Sequence, residues 1–351
     1  MKATELSGVK EIARRANVSI ATVDRVLHNR VGVALKTKEK IESIIKDMDY
    51  KPNILAKRLA SKRVHRFAVL MPRECVETDY WRAPLLGIQS ALNELGDFGV
   101  ELTYFLFDRQ DAEDFKEMSE SVLENAIDAV IVAPIFPSEA ERFVKRCEEK
   151  RIKYLFINND LPSSQPLSFI GPDQWQTGRL AANLCQYIIR REDRILVLNI
   201  QREFSNIDHT INRLAGFESF FAEREAGWNI LKLDLNAENY DMFKVYFSQY
   251  LQQNELDVIF VTNAWVYWVA RYFEEHSISN IILMGYDYTS KNIDYVERGG
   301  IDFLICQKPL ELGYKALATL FEHFISKRPI SRIQYMPIDI VTKENSNLYK
   351  H

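Results

Sequence analysis

The stretch from Val9 to Leu27 constrains this chain more than any other. Its apolar residues recur at helical spacing on one face of two short segments that meet near Asn17. They are Val9, Ile12, Ala13, Ala16, Val18, Val23, Val26 and Leu27. Asn17 tolerates the left-handed backbone of a tight turn, and the Ser19 hydroxyl is placed to cap a second helix. The pattern predicts a helix-turn-helix; an ordinary small helical hairpin is the alternative.

The predicted second helix has one face that points away from the core. The residues on that face are Ile20, Ala21, Asp24 and Arg25. Such residues can reach base edges in a major groove, and arginine paired with guanine is the commonest specific contact, so Arg25 is the first candidate. Asp24 would accept from a cytosine amino group or orient Arg14 or Lys10. The polar residues that could contact phosphates are Ser19, Thr22 and Asn29.

The segment after the helix-turn-helix continues a small basic helical unit. Residues 37–48 predict a third amphipathic helix capped by Thr37, with Ile41, Ile44, Ile45 and Met48 as its buried stripe. A break at 50–53 precedes a short basic helix that ends at Arg63. Residues 1–66 carry 16 Lys and Arg against 7 Asp and Glu, a net charge of +9, and the whole chain carries 45 against 49. A local basic excess of this size is typical of proteins that bind the phosphate backbone.

Beyond residue 66, short apolar strands alternate with amphipathic helices, which indicates parallel doubly wound sheets. We expect strands at 67–71, 101–107, 129–133, 154–157, 195–200, 230–235, 258–261, 281–284 and 303–305. We expect helices near 82–95, 111–125, 138–150, 177–189, 206–225, 239–253, 265–276 and 309–327. There are two such sets, so the pattern predicts two lobes that are joined by chain crossings near 158–172, 287–293 and 306–309.

The predicted architecture is an all-α helix-turn-helix head followed by an α/β two-lobed domain with doubly wound parallel sheets. The predicted boundaries are a head at 1–51, a hinge helix and linker at 52–65, and a two-lobed domain at 66–351. The first lobe would comprise about 66–160 and 291–306, and the second about 161–290 and 307–345. Ligands of doubly wound sheets bind at the carboxyl ends of strands, so two facing lobes predict a cleft.

Polar residues follow several of the predicted strands at the edge where that cleft would lie. They are Asn158, Asn159, Asn263, Asp287 and Gln307. Amides and carboxylates offer paired donors and acceptors, which suit the hydroxyls of a sugar or polyol. Strand-end capping or turn chemistry is the alternative for each single member of the set.

Three segments carry a resemblance to a known family. They are Val-Ser-Ile-Ala-Thr-Val-Asp-Arg-Val-Leu at 18–27, Tyr-Lys-Pro-Asn at 50–53 and Ala-Lys-Arg-Leu-Ala at 56–60. The run from Val9 to Leu70 resembles the DNA-binding head and hinge of the lactose-repressor (LacI) family of bacterial regulators. The rest of the chain follows that family's pattern, with a domain like that of periplasmic sugar-binding proteins.

The resemblance implies roles for several residues. Two hinge helices would pair across a dimer and insert Leu59, with Ala60 beside it, into the minor groove, although Leu59 as a core contact is the alternative. Arg213, Asn263, Asp287 and Gln307 would face the ligand, and Tyr80 and Trp81 would stack on a pyranose. A surface helix position for Arg213, and packing in the mouth of the lobe for Tyr80 and Trp81, are the alternatives.

Two departures from the family pattern bear on the ligand. Relatives usually have an acidic residue after the position of Asn263, where this chain has Ala264, and an acid is also common where this chain has Asn158. The loss of both carboxylates would suit a ligand that carries its own carboxylate or phosphate, with Arg213 as its partner.

Several function classes are not indicated. No apolar run has the length of a membrane span, and the N-terminus lacks the apolar core of a signal peptide, so we expect a cytoplasmic protein without membrane contact. The four cysteines lack metal-ligand or Cys-x-x-Cys spacing. No catalytic motif is recognisable, so we expect neither an enzyme nor a bound metal or cofactor.

The sequence therefore predicts a ligand-responsive transcriptional regulator, a repressor that binds a palindromic operator in double-stranded DNA as a homodimer. Its effector would be a sugar, a sugar acid or a sugar phosphate. A carbohydrate-binding or transport component without a DNA role is the alternative. A DNA-binding protein with a ligand-free cleft is a third reading.

Overall fold

The computed structural model describes residues 8–27, 31–48, 50, 64–75, 79–190, 192–201, 208–224 and 227–349. The head consists of α1 (Val9–Ala16), α2 (Ile20–Leu27) and α3 (Leu35–Asp47). Its fully buried core is formed by Ile12, Ala13, Ala16, Val23, Val26 and Ile41. The other residues of the predicted stripe, Val9, Val18, Leu27, Ile44, Ile45 and Met48, pack around that core half-buried. The spacing of apolar residues thus placed three short helices around one small core, as the sequence predicted.

The turn between α1 and α2 has the conformation that its residues favour. Asn17 is in the left-handed region, with φ 57° and ψ 51°. The backbone N–H of Thr22 donates to the Ser19 hydroxyl oxygen at 3.1 Å. Both predictions for this turn are confirmed. Lys40 joins the third helix to this turn, since its ammonium donates to the carbonyl of Ala16 at 3.0 Å.

The start of α3 differs from the prediction. The helix begins at Leu35, the cap position is Ala34, and no side chain caps it. Thr37, the predicted cap, lies inside the first turn, and its N–H donates to the carbonyl of Ala34. A threonine near a helix start satisfies the cap rule at more than one position, so the sequence did not fix the register.

The first sheet of the two-lobed domain has six parallel strands in the order β11-β5-β4-β3-β1-β2. The strands are β1 (His65–Pro72), β2 (Val100–Phe107), β3 (Ala129–Val132), β4 (Lys153–Ile157), β5 (Phe169–Gly171) and β11 (Ile333–Tyr335). The helices of this lobe are α4 (Arg82–Leu95), α5 (Ala112–Glu124), α6 (Pro137–Lys150) and α12 (Pro309–Phe321). These elements, together about 64–171 and 309–336, form lobe 1.

The second sheet has the strand order β12-β10-β9-β8-β6-β7, with β12 antiparallel to β10 and the other pairs parallel. The strands are β6 (Arg194–Gln201), β7 (Asn229–Asn236), β8 (Val258–Val261), β9 (Ile282–Tyr286), β10 (Phe303–Cys306) and β12 (Asp339–Val341). The helices are α7 (Gln174–Ile188), α8 (Asp208–Ala222), α9 (Tyr240–Gln253), α10 (Val266–His276) and α11 (Ser290–Arg298). Together, at about 172–308 and 337–349, they form lobe 2.

Each sheet is covered by helices on both faces, so each lobe has two hydrophobic layers. One helix pair in each lobe crosses at unusually close range. In lobe 1, a Cβ on Gly87 of α4 would lie 1.9 Å from the carbonyl oxygen of Leu310 in α12. In lobe 2, a Cβ on Gly216 of α8 would lie 1.9 Å from the carbonyl oxygen of Trp175 in α7. Only a residue without Cβ permits these backbone approaches.

The structure corrects the predicted division of the lobes. Residues 291–306 were assigned to the first lobe, but β10 pairs with β9 in lobe 2, with Phe303 beside Met284. Residues 307–345 were assigned to the second lobe, but α12 packs on α4 and β11 pairs with β5 in lobe 1. The predicted crossing at 287–293 is largely helix α11, whereas the chain crosses near 171–173 and 307–308, which overlap the predicted crossings at 158–172 and 306–309, and also near 336–338. Alternation of strands and helices does not tell which of two sheets an element joins.

Candidate functional site

The first candidate site is the outer face of α2. Ser19, Ile20, Ala21 and Arg25 are exposed, whereas Val23 and Val26 on the opposite face are buried. Ile20 is 50% exposed, which is unusual for an isoleucine in a helix with so small a core. The outward orientation that the spacing predicted is therefore present. Contact of these residues with DNA stays a prediction.

Polar groups at the ends of α2 are held in place by local contacts. The hydroxyls of Ser19 and Thr22 lie 2.9 Å apart, so the two side chains form one hydrogen-bonding unit at the helix start. Thr22 and Asp24 are half-buried. The guanidinium of Arg25 lies beside the turn before α3, 3.3 Å from where a Cβ on Gly32 would be. A side chain at position 32 would therefore press on Arg25.

The basic residues of α1 are organised by Glu11. Arg14 donates to both oxygens of this carboxylate at 2.6 and 2.7 Å, and Arg15 donates at 2.8 Å. These hydrogen bonds lower the pKa of Glu11 to about 2. The sequence left two roles open for Asp24: to accept a hydrogen bond from a cytosine amino group, or to orient Arg14 or Lys10. In the structure, Glu11 orients Arg14. Three more candidates, Asn29, Leu59 and Ala60, lie outside the described residues.

The second candidate site lies where lobe 1 and lobe 2 face each other. Asp287 follows β9 and Gln307 follows β10, and because these parallel strands are neighbours, the two side chains meet. The Gln307 amide donates to Asp287 Oδ1. Asp287 is 9% exposed and Gln307 is 3% exposed. Burial raises the pKa of Asp287, while Arg213 and the hydrogen bond from Gln307 act in the opposite direction.

Arg213 is a buried cation, not a surface helix residue, since it is 2% exposed. Its Nε donates to Gln174 Oε1 at 2.7 Å, and its Nη1 donates to the carbonyl of Thr262 at 2.7 Å. The guanidinium carbon lies 3.8 Å from the centre of the Tyr286 ring. Arg213 is thus fixed in position by these contacts.

Lobe 1 contributes Tyr80 and Asn158. The Tyr80 hydroxyl donates to Asn158 Oδ1 at 2.9 Å. Burial raises the pKa of Tyr80, and of the charged groups of lobe 2, Asp287 raises it further and Arg213 lowers it. The phenol is therefore neutral, and its hydroxyl remains a hydrogen-bond donor to Asn158. Asn158 has φ 69°, so a left-handed backbone turns its side chain away from the strand direction.

Trp81 and Asn263 make contacts that fit the alternatives to ligand binding. These alternatives were packing in the mouth of the lobe for Trp81 and strand-end capping or turn chemistry for Asn263. Trp81 is 6% exposed and belongs to the hydrophobic core of lobe 1, with its ring edge-on to Tyr80 at 5.2 Å between centres. The Asn263 amide donates to the carbonyl of Ile200 at 2.8 Å, and its oxygen accepts from the N–H of Trp265 at 3.1 Å. The first contact ties Asn263 to strand β6, and the second is a local turn contact. A role in ligand binding stays a prediction for both residues.

Two buried amide atoms of the site have no partner among the described residues. Gln307 Oε1 is an acceptor without a donor, and Gln174 Nε2 is a donor without an acceptor. Each amide uses its other atom to hold a charged neighbour, Asp287 or Arg213. Buried polar atoms are rarely left unpaired, so each of these two atoms can form a hydrogen bond with a group that enters the site.

The sequence prediction missed Gln174 as a site residue. Gln174 follows no strand, because it is the first residue of α7 after the cap Asp173. Its position depends on the close crossing of α7 and α8, where a Cβ on Gly178 would lie 1.9 Å from the carbonyl oxygen of Arg213. The strand-end rule could not find it. The glycines at 178 and 216, which permit the close crossing of α7 and α8, were the sequence feature that could have indicated Gln174.

The described residues also bear on membrane insertion and on disulfide formation. No described helix combines the length and apolarity that crossing a bilayer requires. All four cysteines are free thiols, and Cys147, Cys185 and Cys306 are buried.

A helix-turn-helix head followed by a two-lobed binding domain defines the class of ligand-linked DNA-binding regulators. Residues 8–53 match the family described as bacterial regulatory proteins, lacI family. Residues 67–328 match the family described as periplasmic binding protein domain. The chain therefore belongs to the LacI family of bacterial transcriptional regulators, with a periplasmic-binding-protein-like second domain.

One relative is similar over nearly its whole length, and two others are similar over a part of theirs. The chain is 21% identical over 321 residues to the transcriptional regulator MalR of Streptococcus pneumoniae, which is 90% of this chain and 92% of that protein. It is 44% identical over 66 residues to the transcriptional regulator RegA of Clostridium acetobutylicum, but this match spans only 20% of RegA. The match to catabolite control protein A of Staphylococcus aureus is 29% identical over 126 residues, 35% of this chain and 36% of that protein.

Solved structures share the two-lobed fold. A LacI transcriptional regulator from Bacteroides fragilis aligns with a TM-score of 0.73 and 28% identity over 82% of this chain and 100% of that one. The glucose-galactose binding protein GanP from Geobacillus stearothermophilus aligns with a TM-score of 0.70 and 21% identity over 81% of this chain and 99% of that one. The predicted fold class, an α-helical head and a two-lobed α/β domain, is confirmed.

Proposed function

We propose that this regulator binds a palindromic operator as a homodimer and that a neutral sugar in the cleft between lobe 1 and lobe 2 changes its operator affinity. The observation that supports the proposal most is that two buried amide atoms, Gln307 Oε1 and Gln174 Nε2, have no partner among the described residues although they lie beside Asp287 and Arg213. A protein that only bound DNA would have no use for such a site.

The charges of the site favour a neutral, polyhydroxylated ligand over a sugar acid or phosphate. Arg213 and Asp287 balance each other, and Arg213 already donates to Gln174 and Thr262. An anionic ligand would gain from Arg213 but be repelled by Asp287. Hydroxyls both donate and accept, so they would complement the free acceptor of Gln307 and the free donor of Gln174. The loss of two family carboxylates then changes which sugar fits, not its charge.

The head would read the operator through α2. Arg25 would contact guanine, with Ile20, Ala21 and Asp24 at neighbouring base edges, and Ser19, Thr22 and Asn29 would contact phosphates. Leu59, with Ala60, would enter the minor groove from the hinge. One head makes few contacts, so a dimer on two half-sites about one helical turn apart is required. We place this activity in the cytoplasm, with the chromosome, and propose that it represses transcription.

Ligand binding would act through the relative position of the lobes. Closure on the sugar would move lobe 1 of each subunit relative to its partner and change how the two hinge segments at 52–65 pair. Coupling between two sites in such proteins is typically about 1–3 kcal/mol, or about 5- to 150-fold in operator affinity.

Genome-wide mapping of the sites that the full chain occupies would supply the operator. Fluorescence anisotropy of that duplex, with D-glucose, D-galactose, D-arabinose, gluconate or glucose 6-phosphate at saturating concentration, would then test the coupling. We expect a neutral sugar to change operator affinity at least fivefold and R213M to abolish the response without weakening DNA binding. R25A should weaken operator binding and leave sugar binding intact.

The results also distinguish the alternatives. Operator affinity that no sugar changes would refute the coupling, and a response to the two anions alone would refute the neutral ligand. A chain that binds sugar but engages no duplex even at low salt would favour the carbohydrate-binding or transport component instead.

A further inference from the structure

A hydrogen bond between the lobes crosses the cleft beside the candidate effector site. Asp79 lies in lobe 1, on the segment that leads into α4. Its two carboxylate oxygens lie 3.1 and 3.4 Å from the backbone nitrogen of Ser290 in lobe 2. Ser290 is the first residue of α11, so an acid of one lobe meets the amino end of a helix in the other.

The N–H of Ser290 has no partner within its own helix, as is general for the first turn. The side chain of Thr289 caps α11, but it accepts from the N–H of Asn292 at 3.3 Å, two residues beyond Ser290. A carboxylate at a helix amino end also interacts favourably with the helix dipole. Asp79 therefore completes, from the opposite lobe, a cap that lobe 2 builds only in part.

Both ends of this contact adjoin residues of the effector site. Asp79 directly precedes Tyr80, and Ser290 follows Asp287 by three residues. Asn292 makes the second connection rigid, since its amide donates to the carbonyls of Tyr286 and Asp287, both at 3.0 Å. A change in the distance between Asp79 and α11 is thus a change in the distance between Tyr80 and Asp287.

We infer that Asp79 is a positioning residue: its carboxylate caps α11 across the cleft when the lobes approach, and this holds Tyr80 against Asp287 and Arg213. Asp79 raises effector affinity without touching the effector. The contact itself is independent of what the cleft binds, whereas its effect on affinity rests on the sugar-binding proposal.

Amide hydrogen exchange of the full-length, ligand-free protein tests the contact directly. The N–H of Ser290 is at an exposed position, and Asp79 is its hydrogen-bond acceptor. D79A should accelerate its exchange about tenfold or more, and D79N, which keeps an oxygen acceptor, should have an intermediate effect. Exchange that is the same in wild type and D79A would overturn the inference.

The chain offers a matched pair of variants at the other end. S290P deletes the N–H. The helix should tolerate this change, because proline is favoured at the first helical position. Thr289, the preceding residue, is extended at φ −98° and ψ 156°, as a residue before proline must be. S290A keeps the N–H and removes only the hydroxyl. We expect calorimetry with D-galactose and D-arabinose to show that D79A and S290P each raise the Kd for the sugar about tenfold. The double variant D79A/S290P should have the same Kd as either single variant, and S290A should have the Kd of the wild type.

A purely structural role would lower the thermal midpoint of the ligand-free variants, whereas we expect it to change by no more than a few degrees. Additive effects of D79A and S290P on Kd would contradict the contact as the source of affinity. Should wild type bind neither sugar, the sugar-binding proposal fails, and the exchange experiment still decides whether Asp79 caps α11.

Discussion

Replacement of Arg213 by methionine tests whether the cleft is built around a buried charge pair. Methionine fills a similar volume but donates to neither Gln174 nor Thr262. It also removes the positive charge that opposes the burial of Asp287. Removal of one partner of a buried pair costs about 3–5 kcal/mol, and we expect R213M to lose that much unfolding free energy at pH 8.

The contribution of Asp287 to this loss can be separated. Unit charges about 4 Å apart interact by about 4 kcal/mol at an effective dielectric constant of about 20, and by less at longer range, so we expect the attraction between Arg213 and Asp287 to contribute about 2–3 kcal/mol. D287N alone should cost about 1–2 kcal/mol, because its amide oxygen still accepts from Gln307. The double variant R213M/D287N should therefore be about 2–3 kcal/mol more stable than the sum of the two single losses predicts.

The pH dependence of the unfolding free energy of R213M provides a second test of the same charge pair. Burial already raises the pKa of Asp287, and loss of Arg213 raises it further. An acid whose pKa is raised in the folded state stabilises that state when protonated and costs stability as the pH rises above its ordinary value. The destabilisation by R213M should hence shrink as the pH falls from 8 towards the ordinary pKa of an aspartate, whereas R213M/D287N should show no such change.

Urea unfolding followed by tryptophan fluorescence is suited to this cycle, because four of the five tryptophans lie in lobe 2: Trp175, Trp228, Trp265 and Trp268. K232M is the control, since Lys232 forms an exposed ion pair with Glu218 at 2.6 Å in the same lobe and should cost less than about 1 kcal/mol. Additivity of R213M and D287N within about 0.5 kcal/mol would refute the charge-pair interpretation.

Three further predictions concern other parts of the molecule. S19A removes the cap of α2 and should cost about 1 kcal/mol in amide protection of that helix and weaken operator binding, whereas S43A, on the exposed face of α3, should do neither. The pKa of Glu11 is lowered to about 2, so its stabilisation of α1 is complete above about pH 4.5 and is lost as the pH falls towards 2; exchange in α1 of E11Q should lack this dependence. G216A should lower the thermal midpoint by several degrees because its Cβ would meet a carbonyl at 1.9 Å, whereas G96A, whose Cβ has 3.6 Å to the nearest atom, should be tolerated; equal midpoints for both would contradict the close-crossing argument.

Local patterns determined which elements of the fold could be predicted. The three head helices and the helices from 82–95 to 265–276 follow from apolar spacing, which depends on near neighbours alone. The three-residue strands β5, β11 and β12 are too short to carry a period, and they were missed. The partners of β10 and α12 are set by packing between distant parts of the chain, and on these the predicted lobe boundaries were wrong.

The same distinction between local patterns and contacts of distant parts of the chain applies to the candidate site. Asn158, Asp287 and Gln307 were found because the residue after a parallel strand points to the edge where ligands bind, whatever the sheet order is. Gln174 and Asp79 act through contacts across α8 and across the cleft, respectively. No spacing within the sequence encodes such contacts, so only the assembled lobes could identify them.

The return of the chain to lobe 1 has a consequence for synthesis on the ribosome. The sheet of lobe 1 lacks β11, and its helix layer lacks α12, until residues 309–336 have been translated, and lobe 2 gains β12 only after that. The head, by contrast, has all the residues of its core once position 50 has left the exit tunnel. A message cut short anywhere between these points therefore yields a head with a complete core attached to a two-lobed domain in which both sheets lack strands.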